Sequence, residues 1–98
     1  MVINKTKEND KLTVNVQGRL DTATAPELEQ SLNESMEGVN ELVMDLDGLE
    51  YMSSAGLRIM LASQKAMSSK GGMKVVNVND VIMEIFEITG FADILTIE

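Results

Sequence analysis

The run of Leu, Val and Met at residues 42–44 constrains the fold of this chain more than any other feature. A strand of consecutive apolar residues is typical of the centre of a sheet that is covered on both faces. On each side of this strand, in segments 28–36 and 57–67, apolar residues recur at the spacing of an amphipathic helix. A central strand between two helices predicts an α/β fold.

An N-terminal hairpin precedes this unit. Residues 11–17 alternate strictly between polar and apolar side chains, which is typical of a half-buried strand. Residues 1–7 form a weaker strand, and the polar residues 8–10 make a turn between the two. Gly18 ends the second strand.

The first helix has a marked beginning. Thr24 and Glu27 fit a capping box, in which each side chain accepts a hydrogen bond from the backbone amide of the other residue. Pro26 suits the first turn, because no amide is needed there. We therefore expect the helix to begin at Thr24.

The remaining elements follow the central strand. Residues 47–52 are predicted to be a loop, and a third helix begins at Asn79 or Asp80 and ends at Gly90. Two further strands are predicted at 73–78 and 94–97. The predicted architecture is a single α/β domain over residues 1–98, with a mixed sheet of four to five strands in the order β-β-α-β-α-β-α-β.

Composition excludes several classes of function. The chain has no cysteine and no histidine, so the commonest nucleophile–base pairs and metal ligands are missing, and we expect no catalytic residue, metal or cofactor. A net charge of −8 disfavours nucleic acid and anionic membranes as partners. No apolar run is long enough for a membrane span or a secretory signal. We expect a cytoplasmic protein that is not an enzyme and that binds another protein through its acidic surface.

The functional loops of an alternating α/β chain lie at the carboxyl ends of its strands. Two such segments, 18–28 and 45–61, are predicted to lie side by side at one end of the sheet. In the second segment Ser53 and Ser54 lie where a helix begins. Ala55 and Gly56 follow them and leave the first turn open, so that a partner's active site can reach Ser54.

A purely structural interpretation accounts for each of these residues singly. Serine is among the most favoured residues at a helix N-cap, and small residues often serve close packing. Asp21 and Thr22 can satisfy loop amides. Taken one at a time, the residues therefore indicate no function.

Taken together, the segments resemble a known family. The sequence YMSSAGL at residues 51–57 is similar to the signature of STAS domains that act as anti-sigma factor antagonists in bacteria. Residues 18–21 (GRLD), 70–72 (KGG) and 88–91 (ITGF) also resemble family segments, in the same order along nearly the whole chain.

The resemblance implies a switch between partners that is controlled by phosphorylation. The unmodified protein would bind an anti-sigma factor that is itself a serine kinase of the histidine-kinase-like ATPase superfamily, and would thereby free a sigma factor. The kinase would phosphorylate the antagonist and weaken binding, and a PP2C-type phosphatase would reverse the change. The free antagonist is expected to be a monomer.

Position by position, the family's phosphorylated residue falls on Ser54. Ser53 stands where the family has an acidic residue and is a rival acceptor, and Ala55 stands where the family has a second hydroxyl. Met52 borders a loop and is expected to be partly exposed, and it is the only methionine expected to contact a partner. The predicted partner-binding residues are Asp21, Thr22, Thr24, Met52, Ser53, Ser54, Ala55, Gly56 and Leu57.

Two alternatives stay open. One is an aspartyl-phosphate receiver or small hydrolase with Asp45 or Asp47 as nucleophile, although the chain lacks the early acidic pair and the later lysine that receivers need. The other keeps the STAS fold but assigns it to a scaffold, or to a regulator of biofilm formation or secretion that uses the same serine.

Overall fold

The computed structural model describes residues 1–98 and contains five strands and three helices. The strands are β1 (Val2–Glu8), β2 (Lys11–Leu20), β3 (Glu41–Asp45), β4 (Leu49–Met52) and β5 (Met73–Val76). The helices are α1 (Ala25–Ser35), α2 (Ser54–Met67) and α3 (Asp80–Thr89), and a single 3₁₀ turn follows at Phe91–Asp93. The predicted α/β class with a mixed sheet is confirmed.

Strand β2 organises the sheet because it is long enough to pair with two strands on one side. It is antiparallel to β1, as the predicted hairpin requires. Its first half, from Lys11 to Asn15, is parallel to β3, and its last three residues are parallel to β4. Strand β5 is parallel to β3, which gives the order β1-β2-β3-β5 with β4 beside the end of β2.

The apolar core packs on one face of the sheet only. Leu12, Val14 and Val16 of β2 belong to a cluster of 22 buried residues to which all three helices contribute. Val43 lies outside that cluster, because it points to the opposite face, where its neighbours are Thr13 and Lys74. Val43 is nevertheless buried, so the prediction of a central strand covered on both faces is confirmed, although the main core cluster lies on one face.

Three predicted elements differ from the observed ones. Gly18, expected to end the second strand, lies within β2, which continues to Leu20 because its last residues pair with β4. Residues 49–52, expected to be loop, form β4, so the observed order is β-β-α-β-β-α-β-α. Buried and exposed residues do not alternate along β4, since Leu49 and Met52 are buried and the two residues between them are exposed. The expected last strand is reduced to one bridge, between Ile97 and Val75, because the 3₁₀ turn occupies the chain just before it.

The capping box expected at α1 does not form. The Thr24 side chain does not cap the helix and instead donates a hydrogen bond to the Arg19 carbonyl at 2.8 Å. The loop amides are satisfied by Asp21, whose Oδ1 accepts from the amides of Ala23 and Thr24. Pro26 lies in the first turn as predicted.

The other two helices have side-chain caps. Ser53 caps α2, and Asn79 caps α3 by accepting from the Ile82 amide at 2.9 Å. Gly90 ends α3 with a φ of 82°, a conformation that favours glycine. None of the three helices combines the length and the apolar character that crossing a membrane requires.

Candidate functional site

The end of β2 and the beginning of α2 meet at one end of the sheet, as the sequence predicts. Leu20 and Met52 are paired between β2 and β4, and the Ser53 amide donates a hydrogen bond of 2.9 Å to the Leu20 carbonyl. The segment after β2 and the segment after β4 are therefore neighbours. This junction is the candidate site.

Gly56 allows α2 to approach this junction closely. A Cβ atom at Gly56 would lie 2.7 Å from Leu20 Cγ and 2.8 Å from Met52 Cγ, which is far inside van der Waals contact. The sequence interpretation gave Gly56 the role of keeping the first turn open to a partner. The structure corrects this, because Gly56 is buried and its small size serves the contact with the interior.

Ser53 and Ser54 have different surroundings although they are adjacent. Ser53 Oγ accepts a hydrogen bond from the Ala55 amide at 3.2 Å, and the residue is only partly exposed. Ser54 is the first residue of α2, is exposed, and its hydroxyl makes no hydrogen bond within the protein. Of the two hydroxyl groups, only that of Ser54 is free of a structural role.

Asp21 organises the loop beside the serines. Its Oδ1 accepts from two backbone amides and lies 3.2 Å from the Thr24 hydroxyl oxygen, and its Oδ2 lies 3.8 Å from Arg19 Nε. The hydrogen bond from the Thr24 amide lowers the pKa of the Asp21 carboxyl most. The Thr24 hydroxyl, the Ala23 amide and the Arg19 charge also lower this pKa, against an opposing effect of desolvation.

An open hollow of about 420 Å³ adjoins the junction, between α1 and α2. Thr22, Ala55 and Arg58 contribute to its wall near Ser54, and Glu29 contributes from α1. A second hollow continues it along the two helices and shares Glu29, Ile59 and Ala62 with it. The predicted site thus lies at one end of a groove between helices.

The structure places the predicted partner-binding residues at different depths. Thr22 and Ser54 are exposed, Asp21, Thr24, Ser53 and Ala55 are partly exposed, and Met52, Gly56 and Leu57 are buried. Met52 is only 2% exposed because its side chain faces the core beside Leu20, so the expectation of a partly exposed Met52 is wrong. The predicted set omits Arg58, which its spacing of four residues from Ser54 could have revealed.

Asp45 and Asp47, the alternative nucleophiles, lie at the end of β3. Asp45 Oδ1 accepts hydrogen bonds from the Asp47 amide at 3.0 Å and from Asn77 Nδ2 at 2.9 Å. These bonds connect the loops that follow β3 and β5, which is a structural role for the Asp45 carboxylate. No three acidic side chains gather here in a group that could hold a metal ion.

Comparison with known proteins gives a consistent result. The family model described as STAS domain matches residues 2–98. An anti-sigma-B factor antagonist of Bacillus subtilis is 34% identical over 94 residues, which cover 95% of this chain and 85% of that protein. An anti-sigma-B factor antagonist of Staphylococcus aureus is 33% identical over 95 residues, which cover 95% of this chain and 88% of that protein.

Solved structures with the same fold have related descriptions. An anti-sigma factor antagonist from Mycobacterium paratuberculosis superposes with a TM-score of 0.88 at 26% identity, covering 98% of this chain and 83% of that one. The Bacillus cell fate determinant SpoIIAA in its phosphorylated form superposes with a TM-score of 0.76 at 13% identity, covering 99% of this chain and 91% of that one. At that identity the second likeness shows the fold alone.

Proposed function

The chain belongs to the STAS domain family of anti-sigma factor antagonists, and from this premise we propose a non-catalytic switch controlled by phosphorylation of Ser54. The unphosphorylated protein binds and sequesters an anti-sigma factor that is also a serine kinase. Phosphorylation of Ser54 by that kinase weakens the complex, and a PP2C-type phosphatase restores binding.

The free hydroxyl of Ser54 is the observation that carries this proposal. A kinase must bring the acceptor oxygen to the γ-phosphate of ATP, so the acceptor has to be exposed and free to move. Ser54 meets both conditions at the first position of α2, whereas the Ser53 hydroxyl is engaged as the helix cap. The geometry favours Ser54 over its rival.

The folded protein can accommodate the phosphate. A phosphoryl group adds about −1.5 to −2 charges at pH 7 and three acceptor oxygens. The beginning of a helix carries unpaired amides and the positive end of the helix dipole, both of which favour an anion. Phosphorylation is therefore expected to change the surface while leaving the fold intact.

A partner packed over Ser54 cannot accommodate the same group. The chain is acidic, with a net charge of −8, and Asp47 and Glu50 are exposed just before α2. A partner that binds this region presents basic or neutral groups shaped to the unmodified surface. Steric bulk and the desolvation of a dianion then oppose binding without any large conformational change.

The groove between α1 and α2 gives such a partner a place to bind. Thr22 and Ala55 line the end of the groove next to Ser54, while Ile59 and Ala62 provide apolar surface further along. Met52, Gly56 and Leu57 act beneath this surface by holding α2 in place. We propose that Thr22, Ser54 and Ala55 contact the partner, and that Asp21 and Thr24 position the loop.

The test uses the protein and a candidate anti-sigma factor kinase, which is sought among the proteins encoded by neighbouring genes. The two are mixed with ATP, and mass spectrometry locates the phosphate in the wild type, Ser54→Ala and Ser53→Ala. We expect labelling of the wild type and Ser53→Ala but not of Ser54→Ala. Labelling that persists in Ser54→Ala and is lost in Ser53→Ala would move the acceptor by one residue.

Binding is measured on the same proteins by isothermal titration calorimetry. The unphosphorylated wild type should bind the anti-sigma factor, and the phosphorylated protein should bind at least about tenfold more weakly, which is about 1.4 kcal/mol. Ser54→Ala should bind like the unmodified protein and should not respond to ATP. Equal affinities for the two forms of the wild type would refute the switch.

A further inference from the structure

We propose that Arg58 pairs with the phosphoryl group on Ser54 and so positions that group on the surface of α2. The inference rests on the proposed function in one respect, the choice of Ser54 as the phosphorylated residue. It adds a residue that the predicted site does not contain, and it describes the modified state of the protein.

The orientation of α2 brings the two side chains to the same face. Gly56 is buried against Leu20 and Met52, so the inward side of the first turn is defined. Successive residues of an α-helix are about 100° apart, which places Ser54 and Arg58 about 40° from each other on the outward side. Both are exposed in the structure.

The spacing between the two residues suits a direct contact. Four residues correspond to a rise of about 6 Å, and side chains in a helix lean toward its N-terminus. The Arg58 guanidinium can therefore extend over the turn that begins with Ser54. An anion that precedes a cation by four residues is also the more favourable order for a pair within a helix.

Arg58 is free to take this role. The two ion pairs of the structure join Arg19 to Asp21 and Lys74 to Glu98, and Arg58 takes part in neither. Glu29 of α1 lines the same hollow as Arg58, and the two side chains form no ion pair. A phosphate on Ser54 would offer Arg58 an anion of greater charge with three acceptor oxygens.

The other arginine near the junction is already engaged. Arg19 pairs with Asp21, and its guanidinium lies 4.5 Å from the centre of the Tyr51 ring. Leu20 and Met52 face the core. Arg19 and Tyr51 directly precede them in β2 and β4 and therefore point to the opposite face of the sheet from α2. Lys65, the other cation of α2, lies seven residues beyond Arg58, a rise of about 10 Å.

A guanidinium suits a phosphate because its planar donors match two of the oxygens. Pairing favours the dianion over the monoanion, so it lowers the second pKa of the phosphate, which is about 6 in the absence of a partner. That pKa is a direct measure of the contact. A residue that only supported the fold would leave it unchanged.

The test uses the full chain with phosphoserine incorporated at position 54 during protein synthesis, so it requires no kinase. The second pKa of the phosphate is determined by ³¹P NMR in the wild type, Arg58→Gln, Arg58→Lys and Lys65→Gln. We expect Arg58→Gln to raise this pKa by about 0.2 to 0.4 of a unit, and Arg58→Lys to raise it less. Lys65→Gln also removes one positive charge from α2 and should change the second pKa of the phosphate by less than about 0.1 of a unit.

Two results would overturn the inference. The phosphate could titrate alike in the wild type and Arg58→Gln, or Lys65→Gln could shift it as much as Arg58→Gln does, which would indicate net charge and not a contact. Because Arg58 is exposed, we expect all variants to fold, and circular dichroism checks this. A failed kinase assay would refute the proposed switch and leave this titration unaffected.

Discussion

The Ser53 amide donates a hydrogen bond to the Leu20 carbonyl at 2.9 Å and thereby joins the start of α2 to the end of β2. The two residues are far apart in the sequence, yet this contact and the burial of Gly56 define where the candidate site lies. The contacts around the junction lead to four predictions about stability.

Gly56→Ala should destabilise the protein by about 1–2 kcal/mol. Alanine favours a helix over glycine by about 0.5–1 kcal/mol, but its Cβ would overlap Leu20 and Met52, and overpacking costs about 1–3 kcal/mol. Urea unfolding measures the difference. The same substitution in a Leu20→Ala background should cost less, because the overlap with Leu20 is removed while that with Met52 stays, and an unchanged cost there would show that the overlap with Leu20 is not a cause.

Ser53→Ala and Ser54→Ala should differ in stability although the residues are adjacent. Loss of the Ser53 hydroxyl removes the cap of α2 and should cost about 1 kcal/mol. Ser54→Ala should lie within about 0.5 kcal/mol of the wild type, because its hydroxyl has no partner within the protein. Thermal and urea unfolding give the free energy of unfolding of each variant. An equal loss of stability in the two variants would contradict the assignment of Ser53 as the cap.

Asn79 should contribute to stability through both ends of its side-chain amide. Its Oδ1 caps α3, and its Nδ2 donates to the carbonyl of the buried Leu49 at 2.7 Å. Asn79→Ala should therefore cost about 2 kcal/mol. Asn79→Ser keeps a helix cap but loses the contact with Leu49, so we expect about half that cost by urea unfolding. Equal costs in the two variants would show that the cap contributes nothing, and an Asn79→Ser variant as stable as the wild type would show the same of the bond to Leu49.

Asp21 should make stability depend on pH in the acid range. Its pKa in the folded protein is lowered, chiefly by the Thr24 amide, so the folded state favours the ionised carboxylate. The resulting stabilisation is fully present above the unfolded pKa of about 3.9 and is lost as the pH falls through the folded value. The advantage of the wild type over Asp21→Asn should therefore be seen at pH 7 and should shrink below about pH 4.

Urea unfolding between pH 2 and pH 7 measures this dependence. Glu87→Gln serves as the control, because it removes one exposed carboxylate from α3 at a position where the side chain has no partner in the protein. An advantage of wild type over Asp21→Asn that stays constant across this range would show that the ionisation of Asp21 does not stabilise the fold.

Much of the fold could be predicted because its signals are local. The alternation at residues 11–17, the helical spacing before and after β3, and the cap residues Ser53 and Asn79 each depend on a few neighbouring positions. The helix start at Ser54, and therefore the exposed hydroxyl, could be predicted in the same way. The assignment of phosphorylation to that residue comes from the family resemblance and stays a prediction.

Two errors in the sequence interpretation have different causes. Strand β4 was predicted to be loop, since its burial pattern has no period of two and it is stabilised by pairing with the distant end of β2. The capping box was predicted at Thr24, but the loop before α1 satisfies its amides with Asp21 and sends the Thr24 hydroxyl to Arg19. Strand β4 thus depends on a distant strand, whereas the capping box at Thr24 loses to competing partners only two to five residues away.

By itself, the sequence determined the fold class, the three helices and the location of Ser54 at the start of the second, because periodicity and capping are properties of short segments. The tertiary structure decided that Met52 is buried, that Gly56 serves the interior, and that Ser54 and Arg58 share the outward face of α2. The reason is physical. Which side of a helix faces the core depends on what the rest of the chain places against it, and here that is the paired ends of β2 and β4.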